Sequence, residues 1–385
     1  MDKKKVVNID MKQYGMFIVL IAVFIIFAIM TGGKNLSPAN INNLIMQNSY
    51  VVILATGMLL CVLTGNVDLG VGSVVALCGS VVGVLLIDAH APAPVAIIAA
   101  LLVGLLCGMF AGFFISVMGV PPFIVTLATM LMGRGATYTI LKAQTKGPFD
   151  ASYNFIGAGF LPKIAAGNFD LLCLIVAIIA TALIVVNEMK SIAAKKKYGF
   201  AQNPFYQVVI KDAVFIFIVW FVLIKLGQYS GFPFVLVIMG AIVGIYSFLT
   251  SKTVAGRQIY ALGGNRKAAQ LSGIKTDRVF FWVYTNMGFL AGVAGVVLSA
   301  RNGSATPKAG DGFEMDAIAS CYLGGAAVAG GAGTIFGAVI GAFIMGILNN
   351  GMSLYGWSTD IQKIVKGAVL LIAVTADLMS KRKKS

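Results

Sequence analysis

An all-α integral membrane fold is predicted: a polytopic bundle of about 10 to 12 transmembrane segments, with broken glycine-rich helices and one short helix on the cytoplasmic face. Three observations predict it. Apolar residues dominate the chain, stretches long enough to cross a bilayer recur along it, and the basic residues between them gather on one side.

The first observation is compositional. Hydrophobic residues make up 59% of the 385 positions and charged residues 11%, with a mean hydropathy of +0.92, whereas soluble domains carry about 25% charged residues. No aqueous fold could hide so much apolar surface. No Pro/Ser-rich or low-complexity stretch divides the chain, so residues 1–385 read as one transmembrane domain. The net charge of +15 does not indicate nucleic acid, because a nucleic-acid binder gathers its cations on one hydrophilic face and here they lie in short clusters between apolar runs. The five cysteines fall inside apolar segments without CxxC pairs or a histidine partner. They read as packing residues, and no disulfide, metal or cofactor is expected.

The second observation is segment length, since a membrane helix needs about 20 mainly apolar residues. Twelve segments qualify, at 14–31, 44–64, 69–87, 94–118, 121–142, 171–187, 209–227, 232–250, 279–300, 315–332, 334–353 and 364–379. The first has the basic-then-apolar order of a signal peptide but lacks a small-x-small cleavage site, so it reads as a retained span. Two segment boundaries are glycine-rich bends that resemble each other, around Leu63 to Val74 and Leu323 to Ile335. Such bends mark broken helices, which meet near the pathway in transporters built from repeats.

The third observation is charge. Lys3 to Lys5 with Lys12, Lys190 to Lys211, Lys252 to Arg278 and Lys381 to Lys384 hold 19 of the 29 Lys and Arg. Alternating the twelve segments from a cytoplasmic N-terminus puts all four clusters on one face, as the retention of cations on the cytoplasmic side requires. Both termini are then cytoplasmic, and residues 188–212 and 251–278 form a basic insert and a loop on that side.

Within the loop, Asn265 has the chemistry of an N-cap, Arg266 to Ser272 make two helical turns, and Gly273 is placed to end them in the left-handed conformation. Ala268 and Ala269 keep the middle slim enough for a groove, with Arg266 and Lys267 offering charge to an acidic rim. Elsewhere Asp68 reads as an N-cap for the helix beginning near Leu69, Arg134 as a paired cation and His90 as a solvated loop residue. Asn349 and Asn350 can hydrogen-bond a solute or a neighbouring helix, and Phe123 with Thr126 can line a constriction. Gly288 with Gly292 and Gly337 with Gly341 call for close helix approach.

There is no phosphate loop, no His-Glu-x-x-His and no nucleophile elbow, so the chain is read as a non-enzyme whose energy comes from an ATP-binding partner or an ion gradient. An ion-coupled transporter would need several acids buried in mid-span, and the sequence does not supply them. The rivals are therefore a permease driven by a separate ATPase, an ion-coupled secondary transporter, and a membrane enzyme.

The loop from Gly256 to Ile274 resembles the coupling-helix loop of permeases in the ribose, xylose and galactoside branch of bacterial sugar ABC importers. Thr64 to Ser73, Pro122 to Met130, Ala305 to Ala319 and Leu323 to Gly351 follow the same family's pattern. The resemblance runs from about Leu36 onward and is nearest to multiple-monosaccharide and xylose permeases. It implies import of monosaccharides and an ATP-binding subunit docked on Gly264, Asn265, Arg266, Lys267, Ala268, Ala269 and Gly273. It also implies an extracytoplasmic sugar-binding protein and a second permease copy. Candidate pathway residues are Asn66, Asp68, Phe123, Thr126, Asn349 and Asn350. Family versions often read Thr-Gly-Gly-Ile-Asp-Leu-Ser where this chain has Asn66 and Gly70, so a contact at those two positions does not carry over.

Overall fold

The structure, a computed structural model, describes residues 11–167, 169–198 and 205–382; the expected basic positions Lys3 to Lys5, Lys383 and Lys384 lie outside them. In chain order the elements are α1 (Met11–Met30), a 3-10 turn (Lys34–Leu36), α2 (Pro38–Leu63), α3 (Val71–Ile87), α4 (Ala93–Ser116) and α5 (Pro122–Leu141). There follow α6 (Ala151–Ala158), β1 (Ala165–Ala166), β2 (Phe169–Asp170), α7 (Leu171–Lys197), α8 (Phe205–Gly227) and α9 (Phe234–Lys252). The chain continues with α10 (Val254–Gly264), α11 (Arg266–Leu271), α12 (Thr276–Asn302), α13 (Phe313–Leu323), α14 (Ile335–Tyr355) and α15 (Thr359–Arg382).

Among the described residues, α2, α4, α5, α7, α8, α9, α12 and α14 are long and apolar enough to cross a membrane, and α1 and α3 contain shorter apolar stretches. Local chemistry sets many of their ends. Ser37 caps α2 by accepting from Asn40 N at 3.3 Å ahead of Pro38, and Thr334 caps α14 by accepting from Gly337 N at 3.0 Å. The two-residue strands β1 and β2 pair antiparallel, Ala165 with Asp170, and Asp170 then caps α7.

α2, α12 and α14 form the centre, while α7 and α8 are mostly exposed and present apolar side chains outward. Lipid is as apolar as leucine, so burial alone does not hold such helices together; close backbone approach and interhelical hydrogen bonds must. A Cβ placed on Gly288 of α12 would lie 2.3 Å from Gly104 O of α4, and one on Gly341 of α14 would lie 1.9 Å from Ser320 O of α13. The Gly-x-x-x-Gly spacings thus do what their pattern suggested.

One expectation is corrected and two are filled in. The segment 315–332 is no continuous span: α13 is 11 residues long, about 16 Å, and 324–334 is irregular. Glycine and alanine keep that stretch apolar even though its backbone leaves the helix. The missing length is supplied from the other end. Ala305 lies against Gly83 and Gly310 against Gly72, so 303–312 runs along α3 before α13 begins. In the basic insert, residues 188–197 extend α7 and 205–212 open α8, with Lys211 held by Glu188 and Asp212. Finally, the 251–278 loop contains a second helix, α10, capped by Thr253 on Gly256 N, which the apolar-segment reading did not anticipate.

Candidate functional site

Two backbone breaks and the loop helices meet at one end of α2. Leu63 O, at the last turn of α2, accepts from Gly331 N at 2.9 Å, which joins the 64–70 break to the 324–334 break. α10 closes on the same point. A Cβ on Gly263 would fall 1.6 Å from Leu63 O and 2.6 Å from Gly331 N, and Tyr260 Oη donates to Gly333 O at 2.7 Å. The two similar glycine-rich stretches are therefore in contact, and both touch α10.

The short helix follows directly. Asn265 is its N-cap, accepting from Ala268 N at 3.0 Å, and Gly273 has φ +83°. Gly273 N donates to Gln270 O and Ile274 N to Ala269 O, which satisfies the last carbonyls as a Schellman turn. Gly264 closes α10 with open space around it. The structure separates the two alanines, however. Ala268 is exposed, whereas Ala269 is buried against the chain itself. Arg266 stays exposed but is engaged within the chain, 3.8 Å from Asp277 and 5.0 Å over the Phe280 ring. The free face consists of Lys267, Ala268 and Leu271, which share one side of the helix at three- and four-residue spacing. Leu271, 85% exposed, was missed in the sequence. A leucine one turn from a capped end looks like an ordinary packing position, and only the fold shows that it packs on nothing.

The break at 64–70 holds two candidate pathway residues. Asp68 is buried, and its Oδ1 accepts from Gly70 N at 2.8 Å. It is therefore an Asx-type turn just before α3, with Gly70 the N-cap, rather than the cap itself. Asn66 folds back on Thr64 O at 3.2 Å. Thr126 is buried against Gly70 and donates to Phe123 O at 3.4 Å, while the Phe123 ring is 60% exposed.

The second break follows α13, whose own start is held from the other side. Arg134 Nη1 donates to Pro307 O at 2.9 Å and Ala309 O at 2.6 Å, which fixes the 303–312 stretch. Its partners are carbonyls, not the acid that the sequence suggested. Asp316 is buried on α13, 3.0 Å from Lys366 Nζ on α15 and 3.2 Å from Asn349 Nδ2 on α14. Asp68, Asp170 and Asp316 are buried, each at a backbone break or a helix start rather than in mid-span. The chain nevertheless neutralises Asp316 with its own lysine, 50 residues away in sequence, instead of leaving a carboxylate open to a coupling ion. Asn350 and Asn40 exchange amide hydrogen bonds at 2.9 and 3.0 Å, so both asparagines serve interhelical contacts. Such bonds contribute on average about 0.6 kcal/mol each in membranes. Lys363 and Asp311 add a more exposed pair between α15 and the same stretch.

The profile of the family described as branched-chain amino acid transport system / permease component matches residues 40–374. The chain is 36% identical over 379 residues to the xylose transport system permease protein of Haemophilus influenzae, covering 98% of this chain and 99% of the relative. It is 35% identical over 363 residues to the ribose import permease protein of Escherichia coli, covering 93% and 92%. It is 34% identical over 375 residues to that of Bacillus subtilis, covering 97% and 94%. No solved structure gives a significant match.

Proposed function

We propose, given that the chain belongs to the family of branched-chain amino acid transport system permease components, that it is the membrane-spanning subunit of an ABC importer of monosaccharides. The family description names amino acids. The sugar reading is preferred because the xylose and ribose permeases match over nearly the whole of both chains. The subunit is not itself an enzyme: ATP hydrolysis belongs to a separate ATP-binding subunit, and cargo arrives from a substrate-binding protein. Two copies enclose the pathway, with both termini and the 251–278 loop in the cytoplasm and lipid around the outer helices.

The observation that carries the mechanism is the contact of α10 with both backbone breaks through Leu63, Gly263 and Gly331. The ATP-binding subunit receives the free face of α11. Movement there passes through the short connection at Asn265 to α10, and from α10 to the breaks that border the pathway. Such a displacement alternates access only if contacts differ between the two states, and irregular backbone can change partners at less cost than a continuous helix. Asn66 and Asp68 lie in one of these breaks, while Asn349, which holds Asp316, borders the other end of α13.

Uptake of labelled xylose, ribose and leucine by the complete assembly tests the cargo. Accumulation of a pentose that requires ATP supports the sugar reading, and accumulation of leucine alone defeats it. Leu271→Ser should weaken docking of the ATP-binding subunit about tenfold or more, since burial of a leucine side chain is worth about 1.5–3 kcal/mol. Ala268→Trp should clash in the same groove, at about 1–3 kcal/mol. Unchanged co-purification of the ATPase with both variants would show that α11 is not the docking element. Orientation is tested with single cysteines at Ser191 and Ser251 in a cysteine-free background. Both should resist impermeant thiol reagents applied to intact cells, and labelling of either from outside would reverse the topology.

A further inference from the structure

A cleft of about 590 Å³ opens between α9, α10 and α12, on the side of the loop helices. Its floor is apolar, with Leu249 and Ile259 among the lining residues, and its rim carries Lys275 and Arg278. No acidic residue lines it, and neither cation has an acidic partner among the described residues. Asn286 also lines the cleft. Its Oδ1 is taken by Tyr246, while its buried Nδ2 donates to nothing in the chain. Trp282 at the edge is 64% exposed, and Phe248 and Val254 nearby in sequence are also exposed. Two unpaired cations and an apolar floor beside an outward-facing indole call for one molecule with an anionic head and a hydrocarbon tail. An exposed indole beside basic residues is the pattern of the membrane-water interface, where polybasic positions attract acidic lipids.

We propose that this cleft holds an acidic phospholipid of the cytoplasmic leaflet, with its phosphate between Lys275 and Arg278 and its upper acyl chain along the apolar floor. The proposal rests on the membrane orientation given above and is independent of the cargo. A lipid lodged there would brace α10 against α12, so lipid composition would bear on coupling.

The test uses the full chain in vesicles, in a Trp220→Phe/Trp357→Phe background that leaves Trp282 as the sole indole. Brominated phosphatidylglycerol and brominated phosphatidylcholine are compared as quenchers. Phosphatidylglycerol should reach half-quenching at a mole fraction at least about tenfold lower. Lys275→Gln/Arg278→Gln should remove the difference, at about fivefold for each cation, while Lys275→Arg/Arg278→Lys, which keeps both charges, should retain it. That conservative pair, together with elution of each variant as a single folded species, separates lost binding from misfolding. Equal quenching of the parent protein by both lipids overturns the proposal, as does an unchanged preference in the glutamine variant. Absence of quenching by either lipid would instead overturn the membrane placement on which the proposal rests.

Discussion

Gly263→Ala is expected to abolish sugar-stimulated ATP hydrolysis and uptake by the complete assembly, while Gly264→Ala, one residue along, leaves both near the parent level. The added carbon at Gly263 would lie 1.6 Å from Leu63 O and 2.6 Å from Gly331 N. Both are backbone atoms, already joined to each other by a hydrogen bond, so no side chain can rotate away. Overpacking of this kind costs about 1–3 kcal/mol, with contacts against backbone at or above the upper end. The strain can be relieved only by lifting α10 from the two breaks. At Gly264 the new methyl meets nothing within 4 Å, and exposed substitutions of that sort stay within about 0.5 kcal/mol. Inserted protein is equalised first, so that loss of fold is not mistaken for loss of coupling. Normal stimulation in Gly263→Ala would mean that this contact does not transmit movement. Equal damage in both variants would show that the clash is not the cause.

Lys366→Met should markedly lower the thermal stability of the chain. It leaves the Asp316 carboxylate, 3% exposed on its side chain, without its cation. Removing one member of a buried ion pair costs about 3–5 kcal/mol, largely because the remaining charge is stranded. Lys366 is itself 18% exposed, which places the expected value toward the lower end. The double variant Asp316→Asn/Lys366→Met should regain most of the loss, since a neutral amide can still meet Asn349 and no charge is left behind. The measurement is thermal denaturation of the purified protein in detergent across the full cycle, with a coupling energy between about 0.5 and 3 kcal/mol expected. Additive losses in the double variant would mean that the pair does not hold α13 to α15.

These two predictions draw on features of different legibility. The caps were local and could be read directly: Asn265 and Gly273 delimit α11 because an amide oxygen and a left-handed glycine satisfy backbone groups a few residues away. The start of α2 was legible too, in Ser37-Pro38, but Asn40, Asn42, Asn43 and Asn48 diluted the apolar signal and the segment was begun six residues late. In the folded chain Asn40 and Asn48 reach α14, where Asn350 and Ala342 O receive them. Hydropathy penalised those asparagines for a polarity that the neighbouring helix satisfies.

By itself the sequence determined the membrane setting, the helical class, the eight long apolar helices and the two shorter ones α1 and α3, and the capped helix α11, because all of these depend on side-chain polarity and on hydrogen bonds within a few residues. Tertiary structure alone decided that 315–332 breaks into a half-helix, that Asp316 finds Lys366, that Ala269 is covered while Leu271 is bare, and that Gly263 touches both breaks. Hydropathy sums side chains and is blind to whether the backbone between them stays helical. Contacts across 50 to 270 residues become definite only when close-packed helices leave each polar group a single partner within reach.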